Sequence, residues 1–395
     1  MKVAIVRGPS LNPWEMQSYA PLVSKVDLVA VGSTRGQYDL SQTKIPLKRL
    51  TCPGEYAGVI PRGISFLYAV LGDPQMLIGF DRFVEGFDIV HTAETGSYYS
   101  LQAVRAKEKG LVKRVVISVW ETIPFLGEKN VLRREHQQEV RKKADWFLAV
   151  TERAKQGLIA EGVRSQKITV IPMGVDVTRF TPRKSQIANR KSQLLRKTRG
   201  FRENDFVVLF VGRLVREKGV YELVEAARRI AKSRDYRAEG RAIRFVFVGE
   251  GPEWMGLRKE VKRLGLEELV SLRPGEPFER MPEILRSSDV LVLPSLPTSG
   301  WEEQFGMVLV EAMASGVPII ASRTGAIPEV VGRAGMIVEP GDSGALSDAI
   351  LRVFKDRQLR QELVRKGRER ARLRYDGRKI ASRIASMYED ILRLS

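Results

Sequence analysis

Short, nearly continuous apolar runs rich in β-branched residues recur along this chain, and helical patterns separate them. In the first half the runs are Val3–Val6, Val26–Val31, Asp88–Thr92, Arg114–Val119, Trp146–Val150 and Ile168–Ile171; in the second half they are Phe206–Val211, Arg244–Val248, Leu269–Leu272, Val290–Leu293, Val317–Ala321 and Met336–Val338. A strand that is apolar on both faces must be covered on both faces, which is the condition of a parallel sheet between helices. The intervening stretches supply those helices. In Tyr221–Lys232, for example, Leu223, Val224, Ala227, Ile230 and Ala231 make one apolar stripe. Alternation of this kind predicts an α/β chain built on parallel sheets.

At 395 residues the chain is too long for one ordinary core and accommodates two domains. The alternation breaks once, between Pro172 and Asn204. There Pro182–Arg202 carries Arg183, Lys184, Arg190, Lys191, Arg196, Lys197, Arg199 and Arg202 with no acid. A charged, poorly periodic stretch reads as the connection between two Rossmann-like halves. Farther on, Asp356–Arg374 is helical and heavily basic, and Ile380, Ile384, Met387, Tyr388 and Ile391 then recur about every four residues, the spacing of a docked helix.

Composition narrows the class. Hydrophobic residues at 43% and charged residues at 29% describe a soluble globular chain. No apolar run approaches the roughly 18–20 residues that cross a bilayer, and Met1–Gly8 reads as a buried first strand, not a secretory leader. A single cysteine, Cys52, forms no internal disulfide, which predicts a reducing cytoplasm. No Cys/His cluster suggests zinc. The net charge of +19 calls for an anionic partner or a charge-rich thermophile surface. Nucleic acid is not expected, because no aromatic-plus-basic binding motif is present.

Ligands of open α/β sheets bind beyond the carboxyl ends of the strands. After Phe206–Val211 comes Gly212-Arg213-Leu214-Val215-Arg216-Glu217-Lys218-Gly219, with Arg213 and Lys218 on a loop entering a helix. Two cations, a glycine and a helix N-terminus together suit a diphosphate, although the same string also describes a solvated basic loop. After Arg244–Val248, the turn Gly249-Glu250-Gly251-Pro252 permits close backbone approach to a base or ribose. After Val290–Leu293, Glu303 precedes a helix and Glu311 lies inside it, eight positions on. Eight residues is a little over two turns, so both carboxylates share a side if the whole region is helical. A carboxylate suits the vicinal diols of ribose or hexose. Glu311 also interrupts the apolar stretch Val308–Ala314, and a buried acid needs a reason.

From Glu303 to Pro318 the chain reads Glu-Gln-Phe-Gly-Met-Val-Leu-Val-Glu-Ala-Met-Ala-Ser-Gly-Val-Pro. This closely resembles the E-x7-E signature of family 4 retaining glycosyltransferases. Gly325-Ala326-Ile327-Pro328-Glu329, Gly212-Arg213-Leu214 with Glu217-Lys218-Gly219, and Ile171-Pro172-Met173-Gly174-Val175-Asp176 resemble the family's other motifs, in order. The resemblance is strong from Lys167 onward and thinner before it. It implies a GT-B fold: two Rossmann-like domains whose parallel sheets face each other across a cleft. Residues 1–175 would bind the acceptor, with a crossing-back helix in 376–395, and residues 176–375 would bind a nucleotide-sugar donor.

The resemblance also implies roles. Arg213 and Lys218 would hold the donor diphosphate and neutralise the departing nucleotide, Glu303 would contact the donor sugar, and Glu311 would bind the ribose. Backbone amides of Phe305, Gly306, Met307 and Val308 would face sugar and phosphate. Gly212, Gly249, Glu250, Gly251 and Arg273 would complete the donor contacts. The implied reaction moves a hexosyl unit from a UDP- or GDP-sugar to a hydroxyl of a lipid, glycan or small molecule. Configuration would be retained by front-face attack. No Asp-x-Asp pair is present to hold a metal, so no metal or other cofactor is expected. A GT-B sugar-nucleotide epimerase and a catalytically silent binding protein are the alternatives, and both fit the donor cations and carboxylates less well.

The acceptor half departs from the family. Many relatives carry a histidine after the fourth strand, where this chain reads Ser118-Val119-Trp120-Glu121-Thr122. Trp120 cannot act as a base. His91 is the nearest substitute, or else a structural strand-end histidine. Gly8, Trp14, Glu15, Glu94, Tyr98, Trp120 and Glu121 are the other acceptor-side candidates. Arg133-Arg134 and Arg141-Lys142-Lys143 beside Trp146, with apolar Ile64–Leu71 and Met76–Phe83, raise an anionic membrane surface as a partner, which would place the chain peripherally on the inner face of the membrane; a solvated helix over a buried core is the plainer reading.

Overall fold

The structure, a computed structural model, describes residues 1–36, 38–40, 43–57, 72–182, 202, 204–233, 237–238 and 241–394. Ile64–Leu71 and the linker cations from Arg183 to Arg199 lie outside the described residues. The chain divides into two compact units, 1–174 with 377–395 and 175–376. Each boundary is one residue from the expected one.

The strands of the first unit are β1 (Lys2–Gly8), β2 (Asp27–Ser33), β3 (Leu47–Leu50), β4 (Phe87–Ala93), β5 (Val112–Val119), β6 (Trp146–Ala149) and β7 (Ile168–Val170). They pair in parallel in the order β3-β2-β1-β4-β5-β6-β7. Its helices are α1 (Pro13–Met16), α2 (Gly54–Ala57), α3 (Phe80–Val84), α4 (Tyr98–Glu108), α5 (Val131–Lys143) and α6 (Glu152–Ala160). The core is where the apolar runs predict it. Ala4, Val6, Val90, Val115, Ile117 and Phe147 from the strands meet Leu101, Val104, Val140 and Leu158 from the helices, all buried.

The second unit repeats the plan. Its strands are β8 (Phe206–Val211), β9 (Arg237–Ala238), β10 (Arg241–Val248), β11 (Val270–Arg273), β12 (Val290–Leu293), β13 (Ile319–Ser322) and β14 (Met336–Val338). The order is β11-β10-β8-β12-β13-β14, parallel throughout, with β9 pairing antiparallel to β10. The helices are α7 (Val220–Lys232), α8 (Trp254–Arg263), α9 (Met281–Arg286), α10 (Met307–Ser315), α11 (Ile327–Val331), α12 (Ser343–Lys355) and α13 (Arg357–Arg374). The last described helix, α14 (Gly377–Arg393), belongs to the first unit and buries Ile380, Ile384, Met387, Tyr388 and Ile391 there. Among the described residues no helix is long and apolar enough to cross a membrane.

Both sheets run outward from a central pair, β1 and β4 in one and β8 and β12 in the other. At such a pair successive crossovers leave in opposite directions and open a crevice at the carboxyl edge. That places the loops after β8 and β12 together.

Candidate active site

Beyond β8 the chain turns through Gly212-Arg213-Leu214, and backbone hydrogen bonds lace this turn to its neighbours. Gly212 N–H donates to Val248 O at 3.1 Å and Leu214 N–H to Glu250 O at 2.8 Å, while Gly249 N–H donates to Arg273 O at 3.1 Å. The ends of β8, β10 and β11 therefore form one rigid rim carrying Gly212, Gly249, Glu250, Gly251 and Arg273. Arg213 is exposed on this rim, and among the described residues its guanidinium makes no ion pair.

The same loop is fastened to the one after β12. Leu296 N–H donates to Glu217 O at 2.7 Å. Gly219 has φ +67°, and a Cβ there would fall on the Pro294 carbonyl oxygen. This contact brings Lys218 onto Glu303. Its ammonium donates to Glu303 Oε2 at 2.6 Å and lies 5.0 Å from the centroid of the Trp301 ring. Ser295 Oγ donates to the same carboxylate oxygen at 2.8 Å, and Glu303 is only 6% exposed. The loop after β13 closes the far side: Ala326 N–H donates to Glu303 O at 2.8 Å, and a Cβ on Gly325 would strike that carbonyl.

Glu303 is not helical. Gly306 lies at φ +77°, in the left-handed region, so α10 starts at Met307 and Glu303 reaches the site from the loop before it. The shared helix face allowed by the eight-residue spacing does not form. Instead the left-handed residue exposes a helix start with no side-chain cap. Leu309 N–H turns back to Gly306 O at 2.9 Å, and among the described residues the N–H groups of Met307 and Val308 take no partner. Both residues are half-buried and lie at the positive end of the helix dipole. Phe305 is buried against Tyr375 with ring centroids 5.9 Å apart, which anchors the turn. Glu311 is buried in the second turn of α10. One unit thus gathers an ion-paired Lys218 and Glu303, an open Arg213 and a free helix start. Ser295 is the partner of Glu303 that sequence reasoning missed. It stands directly after a strand-ending proline, and Ser322 Oγ bonds its carbonyl oxygen.

The acceptor-side candidates in the first unit fall into two groups. His91 is fully buried, with Nδ1 2.5 Å from Tyr388 Oη and Nε2 2.7 Å from Ser118 Oγ. Burial, with the Arg7 charge nearby, holds its pKa well below the usual histidine range. Both ring nitrogens are occupied by structural bonds, so the structure favours the strand-end reading over substrate contact. Glu15 is likewise buried, and it binds Arg7 Nε at 2.7 Å. Gly8 is buried at the end of β1.

The rest stay partly accessible near the ends of β1, β4 and β5. Trp14 packs edge-on against Tyr38, and Tyr98 against His136. Glu94 adopts φ +59° and accepts from Trp120 N–H at 2.8 Å and Glu121 N–H at 3.3 Å. Burial pushes its carboxyl up to about 8; the Trp120 N–H pulls it down, and the Glu121 charge adds to the rise. The Glu121 carboxylate itself accepts from Thr122 and Ile123 N–H. The basic stretch on α5 is not a bare row of cations. Arg141 pairs with Glu128 at 2.6 Å, and Lys143 pairs with Glu108 and Glu139. Among the described residues no three His, Cys, Asp or Glu side chains group as a metal site would require.

Comparison with known proteins bears on the family and the fold. The sequence profile of the Glycosyl transferases group 1 matches residues 191–370, and that of Glycosyltransferase Family 4 matches residues 26–179. WcaL of Salmonella typhimurium, named for colanic acid biosynthesis, is 27% identical over 78% of this chain and 71% of its own length. The N-acetyl-alpha-D-glucosaminyl L-malate synthase of Bacillus anthracis is 31% identical over 50% of this chain, which spans only about half of it, 49%. Anabaena HepE, solved in complex with UDP, superposes with a TM-score of 0.78 at 19% identity, covering 99% of this chain and 100% of its own. The fold is therefore GT-B, and the chain belongs to the family 4 glycosyltransferases.

Proposed function

We propose that the protein transfers a hexosyl unit from a nucleoside-diphosphate sugar to a hydroxyl acceptor, with the donor held by the second unit. The observation that carries this reading is the Lys218–Glu303 pair beside the uncapped start of α10. An ammonium, a guanidinium with no ion pair among the described residues and two helix-start N–H groups, all on loops at the carboxyl edge of one sheet, support a diphosphate as the ligand. A carboxylate already fixed by Ser295 stands ready for a sugar hydroxyl. HepE, which shares the fold, was solved with UDP-glucose, which supports a uridine diphosphate sugar as the first donor to try.

In this mechanism Arg213 swings onto the diphosphate from the open rim. Lys218 shifts from Glu303 toward the leaving phosphate as the C1–O bond lengthens, and Glu303, released, accepts from a donor hydroxyl. Glu311 binds the ribose diol. The departing phosphate takes the acceptor's proton, so the new bond forms on the face the nucleotide leaves, with retention. Stabilising charge where it develops is the largest single source of rate in reactions of this kind. The two cations do this work without a metal.

Arg213→Ala and Lys218→Ala are each expected to lower turnover on the order of 10²–10³; the exposed Arg213 variant is expected to keep its melting temperature, and Lys218→Ala, which leaves the buried Glu303 carboxylate without its ammonium, is expected to lower it. Full activity in either variant would sink the mechanism, and loss of activity in chelator would contradict its metal independence. The epimerase alternative predicts free epimerised nucleotide sugar in the absence of any acceptor; none is expected.

A further inference from the structure

The second unit has another concavity at the opposite edge of its sheet. The donor loops follow the carboxyl ends of the strands. This groove, of about 1190 Å³, opens where Ser288 and Asp289 lead into β12 and Val317 and Pro318 lead into β13. Its wall is α13, in which Arg357, Arg360, Arg365, Lys366, Arg368, Arg370, Arg372 and Arg374 face only two acids, Glu362 and Glu369.

Two polar atoms lining the groove have no hydrogen-bond partner: Ser315 Oγ, on a residue 3% exposed at the end of α10, and Nε of Arg286 at the end of α9, whose Nη1 donates to Thr181 O at 3.5 Å. Burial holds Arg286 below the usual arginine range, opposed only by the Glu283 charge. Beside them, the Arg368 stem lies 3.4 Å from where a Gly316 Cβ would stand, just past the end of α10. Among the described residues neither Arg357 nor Arg368 makes an ion pair. The two acids on the groove are in use: Asp289 accepts from Val207 N–H at 2.8 Å, and Glu369 sits 3.3 Å from Arg365.

Guanidinium groups that outnumber their counter-charges repel one another, and a half-buried N–H left without an acceptor is costly. A phosphoryl group answers both. Its oxygens accept from several planar guanidinium forks at once, and a buried hydroxyl can add an uncharged donor. We propose that this groove is a second anion site, which binds a phosphoryl-bearing ligand through Arg286, Arg368 and Ser315 independently of the donor diphosphate. The proposal does not rest on the donor reading.

The test is calorimetric titration of the full chain with inorganic pyrophosphate, in the Arg213→Ala/Lys218→Ala background that weakens the donor site. A parallel arm measures sedimentation with phosphatidylglycerol/phosphatidylcholine vesicles, which distinguishes a lipid headgroup from a free phosphate. Binding in at least one arm is expected, with a tenfold or greater loss on Arg286→Gln/Arg368→Gln, a smaller loss on the corresponding Lys variants, and a few-fold loss on Ser315→Ala. Should the Gln pair fail to fold, Arg357→Gln/Arg365→Gln, on exposed side chains, is expected to weaken binding about threefold. No binding in either arm, or binding that none of these changes weakens, overturns the proposal.

Discussion

At the scale of single residues, Glu94 makes the sharpest claim on solution behaviour. Its carboxyl is pushed up to about 8 from an ordinary 4.5. Between those values the folded chain holds a proton that the unfolded chain has released. Stability from this group is therefore complete below about pH 4.5 and is lost as the pH rises toward 8. Glu94→Gln is expected to flatten the decline in melting temperature between about pH 5 and pH 8, measured by scanning calorimetry; equal slopes would mean that the folded carboxyl is already ionised. His91 makes the opposite claim, because its two ring nitrogens are spent on Tyr388 and Ser118. Tyr388→Phe leaves one of them without its partner and should cost about 1–3 kcal/mol of stability without altering donor binding. A histidine at a strand end can be a reactive base or an internal strut. The string Val90-His91-Thr92 is the same in both cases; only the position of Tyr388, almost three hundred residues away in sequence, decides between them.

At the scale of elements, the proposed donor site is a set of loops held at fixed spacing by backbone contacts. Gly219 and Gly325 are the pins, each at positive φ with a carbonyl where a Cβ would sit. Ala at either position must push those loops apart. Gly325→Ala is expected to destabilise the second unit by about 1–3 kcal/mol and to weaken nucleotide-sugar binding further, visible as a smaller thermal shift than wild type at saturating ligand. These elements were legible because their chemistry follows directly after apolar runs: Arg213 and Lys218 after β8, Glu303 after β12. Two strands were not legible, for physical reasons. Leu47-Lys48-Arg49-Leu50 is an edge strand whose first three side chains are exposed, so it never makes an apolar run, and Arg237–Ala238 is only a short antiparallel addition. Val317 also reads as strand, yet β13 starts only at Ile319 because Pro318 has no N–H to donate. The proposed acceptor side was the least legible part. Its polar residues divide between an open loop edge and the closed Arg7–Glu15 pair, and residue type alone does not separate the two.

At the scale of the whole molecule, the first unit is discontinuous in sequence. Its sheet is laid down before residue 175, while α14 is supplied after residue 376. Each fully buried aliphatic side chain contributes about 1.5–3 kcal/mol, so Ile380, Ile384 and Ile391 together rival the roughly 5–15 kcal/mol that keeps a typical domain folded. A chain stopped at Asp376 is expected to lose the calorimetric transition of the first unit, or to show it at a much lower temperature, while the contiguous second unit keeps its own. Retention of both transitions would show that the helix is dispensable.

The return of α14 also sets an order of events during synthesis. The ribosome releases the strands of the first unit first, but the helix that covers them emerges only after all of the second unit. At roughly 5–20 residues per second that delay is on the order of tens of seconds. For that interval the surface later covered by Ile380, Ile384, Tyr388 and Ile391 stands open, next to a nascent chain that is strongly basic. The unit that is started first is thus the unit finished last, and its exposed flank is where a chaperone would be expected to wait.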